Sequence, residues 1–301
     1  ECHRGSHLPG QLVAEPELLI RALALVPPDS IEAGRLLSPH GMALGVDEGD
    51  YQGAQKAFAQ ALAIAQREGN PALEMQTLSR AGRVEGYHLR LPECLEKSLR
   101  AIELARRLDD PLNEARSRYF AAIALWSMGD VKEASLHATA GLAPAERLRD
   151  RGMLSNVLWA NETISRLMGD FGSARDFSDH GLALMPRDPR LLGTRTLLEY
   201  EIGAFDQGDA YYQRLVEAMH QTPSGASFEF AFVASVTGFA AHYTGLVGRF
   251  DFDLAKTAAK AVLSTPATTP LVAIRAHTGL ALMAVEEGDV AAAEQAYRFH
   301  E

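Results

Sequence analysis

The sequence is poor in cysteine, in aromatic residues and in positive charge, and each shortage excludes a class of protein. Cys2 and Cys94 are its two cysteines, and they form neither a Cys-x-x-Cys motif nor a disulfide framework. We therefore expect a reducing, cytoplasmic location. Aromatic residues make up 7% of the chain and runs of β-branched residues are scarce, a balance that favours helices over strands. The formal net charge of −10 repels phosphate backbones, so we expect no direct contact with nucleic acid.

Long hydrophobic runs are also missing. No stretch approaches about 18 consecutive apolar residues, the length that a transmembrane helix needs, so we expect no membrane contact. No basic segment followed by an apolar one begins the chain, as a signal peptide would require. The chain starts at Glu1 and stops at Glu301 within a helical pattern, which we interpret as a fragment of a longer protein.

A Gly-Asp dipeptide followed by an apolar residue recurs along the chain. It occurs as Gly49-Asp50-Tyr51, Gly129-Asp130-Val131, Gly169-Asp170-Phe171 and Gly288-Asp289-Val290. The aspartates are 80, 40 and 119 residues apart, close to multiples of 40. Glycine takes the left-handed conformation that ends one helix, and aspartate caps the start of the next. The repeat predicts an antiparallel helix pair about every 40 residues.

A second recurring connection separates one predicted pair from the next. It is Gly69-Asn70-Pro71, Asp109-Asp110-Pro111, Arg149-Asp150-Arg151 and Arg187-Asp188-Pro189. Apolar residues between these marks follow a helical period. We predict an all-α, right-handed superhelical solenoid of about seven antiparallel helix pairs. A lead-in with an incomplete helix occupies residues 1–30, and the repeat domain occupies 31–301. Its units are 31–68, 72–108, 111–148, 151–186, 189–221, 226–264 and 270–301.

The segment from Gly49 to Ala61, Gly-Asp-Tyr-x-x-Ala-x-x-x-Phe-x-x-Ala, resembles the second half of a tetratricopeptide repeat (TPR). The period of about 40 residues is longer than the usual 34. This longer form, with Glu199-Tyr200-Glu201-Ile202-Gly203-Ala204-Phe205 and Thr265-Pro266-Ala267-Thr268-Thr269-Pro270-Leu271-Val272, resembles the repeat region of the large LuxR-type bacterial transcription regulators that include the maltose activator. In that family an ATPase and a helix-turn-helix flank the repeats. The sequence contains neither a phosphate-binding Gly-x-x-x-x-Gly-Lys-Ser/Thr motif nor a basic recognition helix.

No arrangement of residues indicates catalysis. The histidines are scattered, with no His-Glu-x-x-His pair, and no nucleophile–base motif is present. His3 and His7 lie near Cys2, but no fourth metal ligand is evident. We therefore expect no enzymatic activity, no metal and no cofactor. An enzyme with an active site between helices is the least favoured alternative.

The inner face of the predicted array is the candidate binding surface, because equivalent positions of successive first helices stack there. The candidate residues are Gln76, Arg83, Arg116, Tyr119, Trp126, Asn156, Trp159 and Arg166. Aromatic residues and arginine are the types that anchor interfaces. The alternative is that the aromatic residues pack between helices while the arginines are solvated stems. The aromatic residues Phe228, Phe230, Phe232, Phe239 and Tyr243 form a second group, for which burial is the first expectation and an effector pocket the second.

These observations favour a protein-, peptide- or effector-binding domain within a bacterial LuxR-type transcription or signalling regulator. Binding in the groove would then bias the arrangement of attached domains, which the resemblance alone implies. The alternative is a stand-alone TPR adaptor that binds peptides or helices in its groove. Apolar faces at the ends of the array make a homodimer a further expectation.

Overall fold

The computed structural model describes residues 16–221 and 228–298, and it contains helices but no β-strand in these ranges. The prediction of an all-α chain is confirmed. Of the described residues, those up to Ile164 form one compact unit and those from Ser165 onward form another. None of the described helices is both long and apolar enough to cross a membrane. The candidate metal ligands Cys2, His3 and His7 lie outside the described residues.

Short turns connect most neighbouring helices. From the amino end they are α1 (Pro16–Leu23), α2 (Ile31–Met42), α3 (Tyr51–Arg67), α4 (Pro71–Tyr87), α5 (Leu91–Leu108), α6 (Pro111–Ser127), α7 (Val131–Ala140), α8 (Leu142–Arg147) and α9 (Arg151–Leu167). They continue as α10 (Phe171–Leu184), α11 (Pro189–Glu201), α12 (Phe205–His220), α13 (Phe228–Thr244), α14 (Phe252–Leu263), α15 (Pro270–Glu286) and α16 (Val290–Tyr297). The grouping into seven repeat units stays a prediction.

The Gly-Asp turns adopt the conformation that the sequence predicts. Their glycines have positive φ: 71° at Gly49, 91° at Gly129, 77° at Gly169 and 76° at Gly288. The aspartate after each glycine caps the next helix by accepting a hydrogen bond from the backbone N–H three residues on, at 2.8 to 3.1 Å. Both roles of the dipeptide are therefore confirmed. The turn is built from residues that are adjacent in the chain.

The connections of the second kind use proline and a capping side chain. Pro71, Pro111 and Pro189 each occupy the first turn of a helix, where the missing N–H removes no helical hydrogen bond. The preceding Asn70, Asp110 and Asp188 accept hydrogen bonds from the first helical N–H groups, which lack partners within the helix. The residue directly before the capping residue has a positive φ in three of these connections, at Gly69, Asp109 and Arg149.

Two irregular segments depart from simple helix pairs. Residues Ala43–Asp47 continue α2 as a π-helical turn. A break at Gly141 separates α7 from α8, and Pro144 follows within the first turn of α8. Proline has no N–H to donate to the carbonyl four residues earlier, so an uninterrupted α-helix is disfavoured across this segment. The repeat pattern did not indicate either feature.

Small residues allow the helices to pack closely. Ala54, Ala134 and Ala174, one turn after three of the Gly-Asp dipeptides, have no exposed surface. In the carboxy-terminal unit, Gly279 of α15 lies against the backbone of α13. A Cβ at Gly279 would be 2.4 Å from the carbonyl carbon and oxygen of Ala234, which is too close for atoms that are not bonded to each other. The crossing of α13 and α15 therefore depends on glycine.

The same unit contains a buried ionic network. Glu199 is fully buried and accepts hydrogen bonds from Arg175 Nε at 3.1 Å and from Arg195 Nε at 2.6 Å. Arg195 also donates to Asp179 Oδ1 at 2.6 Å. Burial raises the pKa of Glu199, but the bonds from the two arginines outweigh it, and the net shift of its pKa is downward. This network is fully paired, and we assign it a structural role.

Candidate ligand-binding face

The candidate face belongs to the amino-terminal unit and is formed by α4, α6 and α9. Equivalent positions of these helices are 40 residues apart, as in Gln76, Arg116 and Asn156. A buried hydrogen bond of 3.1 Å from Ser117 Oγ to Ser79 Oγ joins α6 to α4.

An aromatic cluster joins α6 to α9. The rings of Trp126 and Trp159 meet edge to face with centroids 5.6 Å apart. Tyr119 lies 6.2 Å from Trp159, and its ring meets that of Phe120 edge to face at 5.1 Å. Tyr119 and Trp159 are buried, whereas Trp126 is half-buried. Such ring geometry is favourable beyond the area that the rings bury, so the cluster fixes α6 against α9.

Three arginines of α4 and α6 lie close enough for their charges to interact. Arg83 of α4 is 1% exposed, and its guanidinium carbon lies 5.6 Å from the ring centroid of Tyr87. Arg80 Nη1 donates to Ser38 Oγ at 3.1 Å. The Nε atom of Arg116 is buried and has no hydrogen-bond partner in the described part of the chain.

The charges of this group act on one another. Burial, followed by the positive charges of Arg83 and Arg80, lowers the pKa of Arg116 to about 10. Burial also lowers the pKa of Arg80. Arg116 is still protonated at pH 7, but its charge is less stable than it would be in water. The face therefore combines concentrated positive charge with an aromatic wall.

The structure brings most of the predicted site residues together. Gln76 and Arg116 are half-buried, and Asn156 is 1% exposed. The aromatic part of our alternative interpretation agrees with the structure, since Tyr119 and Trp159 pack between helices. Its other part, a solvated Arg83, is wrong because neighbouring helices cover this side chain. The assignment of these residues to ligand binding stays a prediction.

Arg166 has a different environment. It lies near the carboxyl end of α9, within the carboxy-terminal unit, and its Nη1 donates to Glu201 Oε1. Arg80, in contrast, is a member that the sequence interpretation missed. The spacing of Gln76, Arg80 and Arg83, four and then three residues, places all three on one side of α4 and could have revealed it.

The second aromatic group is a packing feature in part. Phe230 and Phe232 are buried, whereas Tyr243 is exposed. Phe228 stacks on Phe232 with centroids 5.8 Å apart, and the Arg275 guanidinium lies 5.1 and 5.2 Å from these two rings. Burial between helices therefore accounts for Phe230 and Phe232.

Within residues 16–221 and 228–298, His, Cys, Asp and Glu side chains form no group of three that could hold a metal ion.

Comparison with known proteins identifies the fold. No family model and no curated protein sequence matches the chain. Among solved structures, the apo form of RapI is similar over 89% of this chain and 96% of its own, with a TM-score of 0.65 and 12% identity. The Rap conjugation gene regulator of plasmid pLS20, in complex with the Phr* peptide, is similar over 89% of this chain and 75% of its own, with a TM-score of 0.57 and 12% identity.

A signal transduction ATPase with a tetratricopeptide repeat sensor from Pyrococcus horikoshii is a third similar structure. The similarity covers 82% of this chain and 38% of that protein, with a TM-score of 0.59 and 13% identity. At these identities the likeness shows the fold alone. The chain has a TPR-like helical-repeat fold, as the sequence predicts.

Proposed function

We propose that this chain is a non-catalytic binding module that binds a peptide on the face formed by α4, α6 and α9. The observation that carries the proposal is the grouping of Arg83 and Arg116 with Tyr119, Trp126 and Trp159 on one face of successive helices. Aromatic and arginine side chains are enriched among the residues that dominate binding energy. A TPR-like protein with a peptide bound, the pLS20 regulator, supports a peptide as the ligand.

Selection from a library of random short peptides on the purified chain tests this proposal. Enriched peptides are then labelled, and their affinities are measured by fluorescence anisotropy. We expect Arg116→Met and Trp159→Phe to weaken binding about tenfold or more, which corresponds to about 1.4 kcal/mol. Arg106→Met, an exposed position on α5, is the matched control and should leave affinity unchanged. Peptides that bind all four proteins equally would place the site elsewhere.

A finer proposal concerns the larger protein. The similarity to a TPR sensor that is one part of a signal transduction ATPase supports a sensing segment within a longer regulator. The resemblance of the repeats to LuxR-type transcription regulators supports the same class. The length of the native reading frame decides between this and a stand-alone adaptor. A frame little longer than 301 codons would rule out the regulator.

A further inference from the structure

The carboxylates of α4 and α6 are already engaged with other partners. Glu74 pairs with Arg100 at 3.2 Å, Glu85 accepts from Tyr51 at 2.9 Å and Lys97 at 2.5 Å, and Glu114 pairs with Arg118 at 2.9 Å. None of these contacts involves Arg80, Arg83 or Arg116. These three carboxylates therefore do not neutralise Arg80 or Arg116.

Two other carboxylates act on Arg116 from a distance. Asp110 and Asp150 favour its charged form, but less strongly than Arg83 and Arg80 oppose it. Both aspartates serve as helix caps. Asp110 accepts from the N–H and the side-chain Nδ2 of Asn113, each at 2.9 Å, and Asp150 accepts from the N–H groups of Gly152 and Met153 at 2.8 and 3.1 Å. These bonds hold both carboxylates at the helix ends that they cap.

Arg116 thus combines two unfavourable features. Its charge is opposed by two neighbouring arginines, and its buried Nε has no hydrogen-bond partner among the described residues. A buried donor without a partner costs about 1–3 kcal/mol, and more when it is charged. A planar anion bound to the guanidinium would neutralise the opposed charge, and arginine binds carboxylate through two parallel hydrogen bonds.

We infer that the ligand of this face carries a carboxylate, which binds to Arg116 with Arg80 and Arg83 providing further positive charge. The inference rests on the proposed peptide-binding function. Tyr119, one turn beyond Arg116 on α6, contacts Trp159, so the aromatic cluster begins one turn from Arg116 on the same side of α6. The carboxylate can belong to an Asp or Glu side chain or to the carboxyl terminus of the peptide.

The net charge of the chain excludes general electrostatic attraction as the source of a preference for acidic peptides. At −10 the protein as a whole repels acidic peptides. A preference for acidic over neutral peptides would have to arise from a local site. Removal of one arginine from that site should then abolish the preference, whereas removal of an exposed arginine elsewhere should not.

The test uses one enriched peptide in matched forms. The forms carry Glu or Gln at the acidic position, and a free or an amidated carboxyl terminus, so that the two sources of the carboxylate are separated. Affinities are measured by anisotropy for the unaltered chain and for the Arg116→Met, Arg116→Lys and Arg106→Met variants. Circular dichroism and thermal melting confirm that each variant is folded.

We expect one of the two amide replacements to weaken binding to the unaltered chain about tenfold or more. Arg116→Met should remove most of this difference, and Arg116→Lys should retain part of it because lysine keeps the charge without the planar fork. Arg106→Met should preserve it. A peptide that binds through Trp159 but tolerates both amide replacements would overturn the carboxylate inference and leave the proposed function standing.

Two further outcomes also overturn the inference. If selection yields no peptide that binds, the proposed function fails and the inference fails with it. If a peptide with phosphoserine in place of Glu binds more tightly than the Glu form, and loses this advantage in Arg116→Met, the site recognises phosphate rather than carboxylate. The pattern across peptide forms and variants therefore distinguishes a wrong ligand chemistry from a wrong function.

Discussion

Trp126 of α6 and Trp159 of α9 meet edge to face with ring centroids 5.6 Å apart, and they are the two tryptophans of the chain. Trp159 is 2% exposed, whereas Trp126 is half-buried. We expect Trp159→Ala to lower the free energy of unfolding by about 3–5 kcal/mol, because it leaves a large cavity. Trp126→Ala should cost less, since part of its ring already contacts water. Urea denaturation followed by circular dichroism measures both, and equal losses would contradict this account of the cluster.

Arg116, which we propose binds the ligand, should lower the free energy of unfolding of the unliganded protein. Arg116→Met removes a charge that burial and two neighbouring arginines disfavour, so the free energy of unfolding should rise by about 1–2 kcal/mol. Arg106→Met, the exposed control, should change it by no more than about 0.5 kcal/mol. Thermal melting and denaturant titration without ligand provide the measurement.

The pH dependence of this gain follows from the lowered pKa of Arg116. A base whose pKa is lower in the folded state destabilises that state at every pH below the folded value of about 10. The penalty disappears only as pH rises from there toward the ordinary value of 12.5. The advantage of Arg116→Met should therefore be constant between about pH 6 and pH 9. A gain that varies strongly within this range would point to another titrating group.

Cys94 should behave as an inert thiol in the folded protein. It has no exposed surface, and burial raises its pKa to about 12 from an ordinary 9.0. In a Cys2→Ser variant, a thiol reagent at pH 8 should therefore react only after unfolding. Rapid reaction of the folded variant would show that Cys94 is accessible.

The raised pKa of Cys94 also predicts how stability changes in alkali. Above pH 9 the unfolded chain loses the thiol proton while the folded chain keeps it, so the unfolded state binds fewer protons and stability falls. Relative to the Cys2→Ser, Cys94→Ala double variant, the single variant should lose about 1 kcal/mol between pH 8 and pH 10. Parallel stability profiles of the two variants would contradict the predicted pKa.

Gly279→Ala should disrupt the crossing of α13 and α15. The added Cβ would meet the backbone of Ala234 at 2.4 Å, and backbone atoms cannot move aside as a flexible side chain can. We expect a loss of about 3 kcal/mol or more in the free energy of unfolding. Gly172→Ala is the matched control in the same unit, because its nearest contact would be Asp170 Oδ1 at 3.7 Å. Alanine favours helices, so this control should be neutral or slightly stabilising.

Local features of the fold could be predicted from the sequence, because they depend on adjacent residues. The turn at Gly129 and Asp130 needs only a left-handed residue and a capping side chain, and both are visible in the sequence. The π-helical turn at Ala43–Asp47 carries no comparable residue signal. The helix period also located Arg116, Tyr119 and Trp159 on neighbouring helices.

The environment of these residues could not be predicted in the same way. The burial of Arg83 depends on side chains that surround it after the helices have packed, including Met42, which lies 41 residues earlier. The partner of Arg166, Glu201, lies on another helix 35 residues later. The unfavourable charge of Arg116 likewise appears only when α4 and α6 are adjacent. Sequence periodicity indicates which side of a helix a residue occupies, and packing determines what that residue contacts.

The Gly-Asp turns also determine how the chain is expected to fold. At the turn after α6, Asp130 N–H bonds to Leu125 O and Gly129 N–H bonds to Trp126 O, so the reversal is closed by residues at most five apart. Little chain entropy is lost in closing such a short segment, and the next helix can dock at once. Proteins dominated by such local contacts fold rapidly, and in repeat proteins folding can begin in any unit and then spread to its neighbours. For this chain we therefore expect nucleation to be distributed along the sequence rather than confined to one obligatory core.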